Sequence, residues 1–239
     1  MGTDERTRQT GRMVALLCLA EVLSMTGFSA YPALLPSLRQ AWGLSGVQAG
    51  VISGAFFFGY MLAVPFLANL TDRIDARRVF AACCLLAGIG IAGFAAVAQG
   101  TASGALFQAA IGAGLAGTYM PGLKALTDRV GPAQQSRTVA FYTASFGVGS
   151  SLSLALSGGL GAVLPWRVAF ALLAIGPALA AGIAWAAVPP QATPSRDPAP
   201  MRSRRRALMP SLDVLGHREV RRYVFGYAVH CWELFGVRS

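Results

Sequence analysis

Residues 69–78, NLTDRIDARR, place five charges between two long apolar stretches, GVISGAFFFGYMLAVPFLA (50–68) and VFAACCLLAGIGIAGFAAVA (79–98). A loop between two soluble helices rarely needs Asp72, Arg73, Asp75, Arg77 and Arg78 so close together. A short hairpin joining two membrane-spanning helices has a use for them, because cations beside a span fix its orientation. The fold therefore turns on whether the flanking stretches cross a bilayer.

Composition supports crossing. Of 239 residues, 54% are hydrophobic and 13% charged, against about 25% charged in an average soluble domain. The apolar residues gather into runs near the roughly 20 residues that traverse a hydrocarbon core about 30 Å thick. The runs predict spans at 13–36, 47–68, 79–98, 103–124, 138–163 and 168–188, and a seventh begins near Tyr223. The organisation expected is a terminal segment (1–12), six spans (13–188), a linker (189–222) and the opening of a second half (223–239).

Charge distribution gives the orientation. Net charge is +10, and an excess of that size can serve nucleic acid or anionic lipid. With a cytoplasmic amino terminus, seventeen of the twenty Lys and Arg fall on the inner side, leaving Arg39, Arg167 and Arg238 elsewhere. That asymmetry predicts a multi-pass protein of the inner (plasma) membrane with the bilayer as its partner, and argues against nucleic acid. A cleaved signal peptide is disfavoured by Glu21 in the middle of the first apolar core. Cys18, Cys83, Cys84 and Cys231 lie inside hydrophobic runs without metal-ligand spacing, so they read as packing residues.

Short loops after spans one, three and five make successive spans antiparallel neighbours. Gly46, Gly50 and Gly54, with Gly59 beyond, leave one face of span two nearly bare, which predicts close helix approach. Span five carries a comparable set around Gly147, Gly149, Gly158 and Gly159. The stretch after Val188, PPQATPSRDPAPMRSRRR, is rich in proline and arginine and reads as an extended cytoplasmic linker. SLDVLGHREVRR (211–222) suits a short amphipathic helix with Ser211 as its N-cap. RRYVFGYAVHCWELFGVRS (221–239) then repeats the basic–apolar–acidic order of GRMVALLCLAEVLSMTGFS (11–29), as the start of a second repeat would.

Glu21 and Glu233 are the acidic residues inside these runs. Glu21 lies nine residues beyond Arg12, about 13 Å of helical rise, and Glu233 eleven beyond Arg222, about 16 Å. Both depths approach the midplane, where a charge costs roughly 2.5–3.5 kcal/mol even on the insertion scale. Such a group faces a polar cavity, keeps a proton or pairs with a cation. His230 shares a helix face with Glu233 by its three-residue spacing. The two readings open at this point are a substrate or proton site formed by Glu21, Glu233 and His230, and a polar contact that holds helices together. Enzyme signatures are missing: HCWE has no second histidine for zinc, and neither GxSxG nor GxxxxGK[ST] occurs. The reading is not an enzyme, with no cofactor and no metal.

The loop LTDRIDARR resembles the conserved loop between spans two and three of the major facilitator superfamily, commonly G-x-L-A-D-R-x-G-R-R/K. Asp72, Arg73, Arg77 and Arg78 match, whereas Ala68 and Asp75 replace its two glycines and Ala76 an arginine. WRVAF (166–170), GTYMPGLKAL (117–126) and YAVHCWELFGVRS (227–239) add to the resemblance. It implies an all-α six-helix bundle and a small-molecule substrate carried by alternating access. It implies a cytoplasmic latch loop at Asp72, Arg73, Arg77 and Arg78 that engages the other half. Leu106, and the pair Leu154 and Ala155, stand where proton-antiport members carry an arginine and a Gly-Pro. Any proton coupling therefore rests on Glu21 and Glu233. Family members have twelve spans, so the expectation is a truncated form lacking its C-terminal six-helix half. The alternative is an inert or structural six-helix membrane fragment.

Overall fold

The computed structural model describes residues 2–191 and 216–236, and side chains except those of 2–7, 227–228 and 230–236. The expected linker and its Ser211 cap fall largely within 192–215 and lie outside the described residues. The chain divides into two compact units, Met1–Pro194 and Ser195–Ser239.

The first unit is helical throughout, with no strand among the described residues. Helices α1 (Gly2–Ser24) and α2 (Ala30–Trp42) make span one, and α3 (Gly46–Thr71) and α4 (Ala76–Val97) make spans two and three. Helices α5 (Thr101–Ala116) and α6 (Tyr119–Thr127) make span four, and α7 (Pro132–Val163) makes span five. Span six comprises α8 (Trp166–Leu173) and α9 (Ile175–Ala187). Four stretches, Gly46–Thr71, Ala76–Val97, Pro132–Val163 and Trp166–Ala187, are long and apolar enough to cross a membrane. In the second unit α10 covers Arg218–Gly236, with Arg222 reaching Glu219 one turn earlier.

Spans one and four differ from the uninterrupted helices that hydropathy predicts. Span one breaks at Met25–Ser29 and span four at Gly117–Thr118. Apolar backbone cannot be left unpaired in lipid, so a break needs side chains to satisfy it. Thr26 Oγ1 donates to the Leu173 carbonyl at 2.9 Å. Ser153 Oγ donates to the Thr26 carbonyl and accepts from the Ser29 N–H, each at 2.9 Å. The break in span one is thus stitched to α7 and to the end of α8.

Helix ends away from these breaks are ordinary. Gly43 closes α2 in the left-handed region at φ +63°, where other residues carry a Cβ penalty. Ser45 and Gln48 form a capping box on α3, the Ser45 hydroxyl accepting from the Gln48 N–H.

Close approach of α3 and α5 comes from Gly59 and Gly112. Gly59 lies against the Ala109 backbone and Gly112 against the Phe56 carbonyl, leaving no room for a Cβ at either. Gly46, Gly50 and Gly54 have nothing within 4 Å of a built Cβ, so the expected packing along that face is not made within this unit. In span five Gly149 meets Met25 and Val22, while Gly147, Gly158 and Gly159 face open space. The glycine periodicity was thus a poor guide to which face packs: a bare stripe permits contact but does not supply a neighbour.

Two apolar clusters fill the unit. One, toward the end bearing the 42–46 and 163–166 connections, centres on Phe94, which stacks on Phe170 with centroids 4.4 Å apart. The other, toward the end bearing the 71–76 and 127–132 connections (the basic end), contains Leu17, Phe80, Leu126 and Tyr142. Glu21 falls at the seam between them.

Candidate functional site: a buried glutamate and a guanidinium clamp

Glu21 lies three residues before the end of α1 and is 0% exposed. The Tyr142 hydroxyl, equally buried on α7, donates to Glu21 Oε2 at 2.8 Å. It also stands 3.2 Å from the Thr118 carbonyl at the break between α5 and α6. Gly122 gives Tyr142 its space, since a Cβ there would strike the hydroxyl. Ser24 Oγ donates to the Glu21 carbonyl at 2.7 Å, closing the last turn of α1. Glu21 Oε1 has no hydrogen-bond partner among the described residues. A buried carboxylate with one donor and no paired cation is poorly compensated.

Tyr142 carries one proton and faces two acceptors. Both bonds form at full strength only when the carboxyl itself carries a proton, Glu21 donating to the Tyr142 oxygen and Tyr142 to Thr118. When Glu21 is ionised, the tyrosine proton belongs to the carboxylate and the Thr118 carbonyl keeps only its bond from the Gly122 N–H. Three helices, α1, α6 and α7, therefore meet at a group with two hydrogen-bonding arrangements.

A groove of about 530 Å³ rises beside this site between α1 and α7. Thr10, Arg137 and Thr138 line its part toward the basic end, and Cys18 and Ser145 its deep part. Cys18 precedes Glu21 by three residues and Ser145 follows Tyr142 by three, so the groove ends one helical turn from the pair.

The loop 69–78 builds a second feature. Asp75 caps α4, its Oδ1 accepting from the Arg77 N–H at 3.0 Å. Arg129 Nη2 donates to the same Oδ1 at 2.8 Å, and the Gln191 N–H donates to Oδ2 at 2.9 Å. Burial alone would raise the Asp75 carboxyl, but these N–H donors and the Arg129 charge outweigh it and hold the carboxyl below its ordinary value. Arg77 Nη1 donates to the Val188 carbonyl at 2.8 Å and to Trp185 at 3.3 Å, with its guanidinium 4.6 Å from the Trp185 ring. Its Nε has no hydrogen-bond partner among the described residues; the 4.0 Å separation from Asp75 Oδ2 is a charge contact only.

Arg167 mirrors Arg77 at the opposite end. It donates to the carbonyls of Ala95 at 2.7 Å and Ala98 at 3.0 Å, and lies 4.4 Å from the Trp166 ring. Arg77, second residue of α4, closes the C-terminus of span six; Arg167, second residue of α8, closes the C-terminus of α4. Cations at both carbonyl-rich ends complement the helix dipoles and satisfy orphan acceptors.

Of the four predicted loop residues, Arg77 is buried in this clamp, while Asp72, Arg73 and Arg78 are exposed. His230 and Glu233 fall within α10, and their side chains lie outside the described residues. Sequence reasoning treated Asp75 as a departure from a pattern and missed it as the hub. A signal was present: LTDRI (70–74) recurs as LTDRV (126–130), placing Arg129 just past the C-terminus of α6 as Arg73 is past that of α3.

The chain belongs to the Major Facilitator Superfamily, whose family model matches residues 17–237. It is similar to the voltage-gated purine nucleotide uniporters SLC17A9 of Rattus norvegicus and Mus musculus, 27% identical to each, over 65% of this chain and 34% of theirs. The chain spans about a third of the length of these curated relatives. Among solved structures it resembles a bacterial homolog of the human lysosomal transporter Spinster. In the inward-facing, unoccupied form the TM-score is 0.64 at 17% identity, over 90% of this chain and 50% of that one. The occupied form gives 0.64 at 18% identity, over 77% of this chain and 46% of that one.

Proposed function

We propose that this chain supplies the amino-terminal half of a carrier that moves a small solute by alternating access, with Glu21 as its proton-responsive group. Family membership and the transporter neighbours support the transport reading. The observation that carries the role of Glu21 is the Tyr142 hydroxyl shared between Glu21 and Thr118. Protonation of the carboxylate frees the tyrosine proton for the Thr118 carbonyl, tightening the junction of α5 and α6. Loss of the proton reverses this. A group that bonds differently in two states shifts their balance by the difference it makes.

A second six-helix half completes the path. The apolar, little-buried faces of α3 and α7 fit such a covering, or lipid: Phe58 and Met61 are exposed, as are Val148 and Leu154. Asp72, exposed at the end of α3, remains available as the latch that meets a helix N-terminus in that half. The distribution of basic residues supports an inner-membrane protein with its amino terminus cytoplasmic.

A structural role for Glu21 is the competing reading, favoured by its complete burial. Uptake by proteoliposomes containing a form extended through twelve spans separates them. The solute panel begins with organic anions, because Arg137 lines the groove and the curated relatives are named for nucleotides. We expect uptake that responds to an imposed proton gradient in the native form and loses that response in Tyr142→Phe. An unchanged response leaves the pair as a tie between α1 and α7.

A further inference from the structure

A second groove, of about 670 Å³, lies on the other flank of α1, between it and α9 at the basic end. Its rim carries Gln9, Thr10 and Arg12; its walls are Leu16 on α1 and Ile183 and Ala186 on α9. The Arg129 side chain reaches it too, but its nitrogens already bond Asp75, Ala125 and Pro189. Arg12 is exposed and has no hydrogen bond or ion pair among the described residues.

The groove changes character with depth. Arg12, Leu16 and Leu19 follow one another on one face of α1, about 10 Å from cation to last leucine by helical rise. On α9 Ile183 lines the opposite wall, and Leu179 lies one turn beyond it on the same helix face. Leu19 is 46% exposed and Leu179 53%, so both leave apolar surface uncovered by this unit. Ala186 and Ala187 keep the trough open where a larger side chain would fill it.

We infer that this groove binds an anionic phospholipid, its headgroup phosphate at Arg12 and an acyl chain along Leu16, Leu19, Leu179 and Ile183. A cationic rim over an apolar trough fits a molecule with a phosphate above hydrocarbon. A free phosphate has no use for the trough, and a zwitterionic lipid gains less from the rim. The chain's own continuation is unsuited, since residues 192–206 carry five arginines and one aspartate, the same sign as Arg12. This inference does not depend on Glu21 or on proton coupling.

Native mass spectrometry of the full chain, titrated with phosphatidylglycerol or with phosphatidylcholine of the same acyl length, tests it. Phosphatidylglycerol is expected to survive activation as a one-to-one adduct and phosphatidylcholine to be lost. Arg12→Gln should weaken phosphatidylglycerol retention roughly fivefold, the worth of one cation at an anionic surface. Ala186→Phe, at an exposed position, should weaken it by filling the trough while helical content by circular dichroism is unchanged. Equal retention of the two lipids, or retention unaffected by both substitutions, would overturn the assignment. So would inorganic phosphate competing as well as phosphatidylglycerol, because the trough would then play no part.

Discussion

The Tyr142 hydroxyl donates to Glu21 Oε2 across 2.8 Å, joining spans one and five at full burial. Neither residue is within reach of a compensating cation among the described residues, and the Tyr142 hydroxyl is the one hydrogen-bond partner the Glu21 carboxyl has among them.

Tyr142→Phe removes that partner and leaves buried Glu21 Oε2 without a donor, while the Thr118 carbonyl keeps its bond from the Gly122 N–H. A lost bond of this kind costs about 1–3 kcal/mol. Thermal unfolding of the purified protein in detergent should show a clear fall in midpoint. A midpoint equal to the native one would mean the hydroxyl is replaceable and the hydrogen-bond accounting at this site is wrong.

Asp75→Asn breaks the clamp by leaving the Arg129 charge buried without its counter-ion. Removing one member of a buried pair typically costs about 3–5 kcal/mol. The native protein adds a pH signature. Asp75 is held below its ordinary value by its donors, so its contribution is fully present above the unfolded value near about 4. That contribution declines as pH falls through the depressed folded value. Native stability should therefore drop more steeply on acidification than that of Asp75→Asn; parallel profiles would contradict the clamp.

Arg167→Lys tests the mirror feature. Lysine keeps the charge but has no planar fork to serve Ala95 and Ala98 together. The expected loss is about 1–2 kcal/mol, measured as a shift in denaturation midpoint against the native protein. Full stability in the lysine form would reduce Arg167 to a topological anchor.

The glycines give a paired test. Gly112→Ala places a Cβ against the Phe56 carbonyl and should destabilise by about 1–3 kcal/mol through overpacking. Gly50→Ala meets nothing within 4 Å and should be neutral or gain up to about 1 kcal/mol of helix propensity. The opposite order would show that the second-span stripe, not Gly112, makes the close contact.

Much of this architecture was legible before any coordinates. Runs of apolar residues marked the helices that pack into the bundle, and the five charges of 69–78 marked the turn between α3 and α4. Glu21 stood out because an acid at that depth is costly. The breaks at Met25–Ser29 and Gly117–Thr118 were not legible, because hydropathy records what a segment avoids, not whether its backbone is continuous. They persist through bonds from distant residues, such as Ser153 to Thr26 and Thr26 to Leu173, which no local window contains. Asp75 was hidden for the same reason: its partner Arg129 is 54 residues away.

The role given to Glu21 rests on its gaining and losing a proton during transport. The most direct measurement is solute uptake by proteoliposomes of a twelve-span form, with and without an imposed pH gradient, for native protein and Glu21→Gln. The account predicts that the substitution inserts and folds normally, retains gradient-independent exchange, and loses the response to the pH gradient. A Glu21→Gln form whose uptake follows the gradient as the native form does would contradict it.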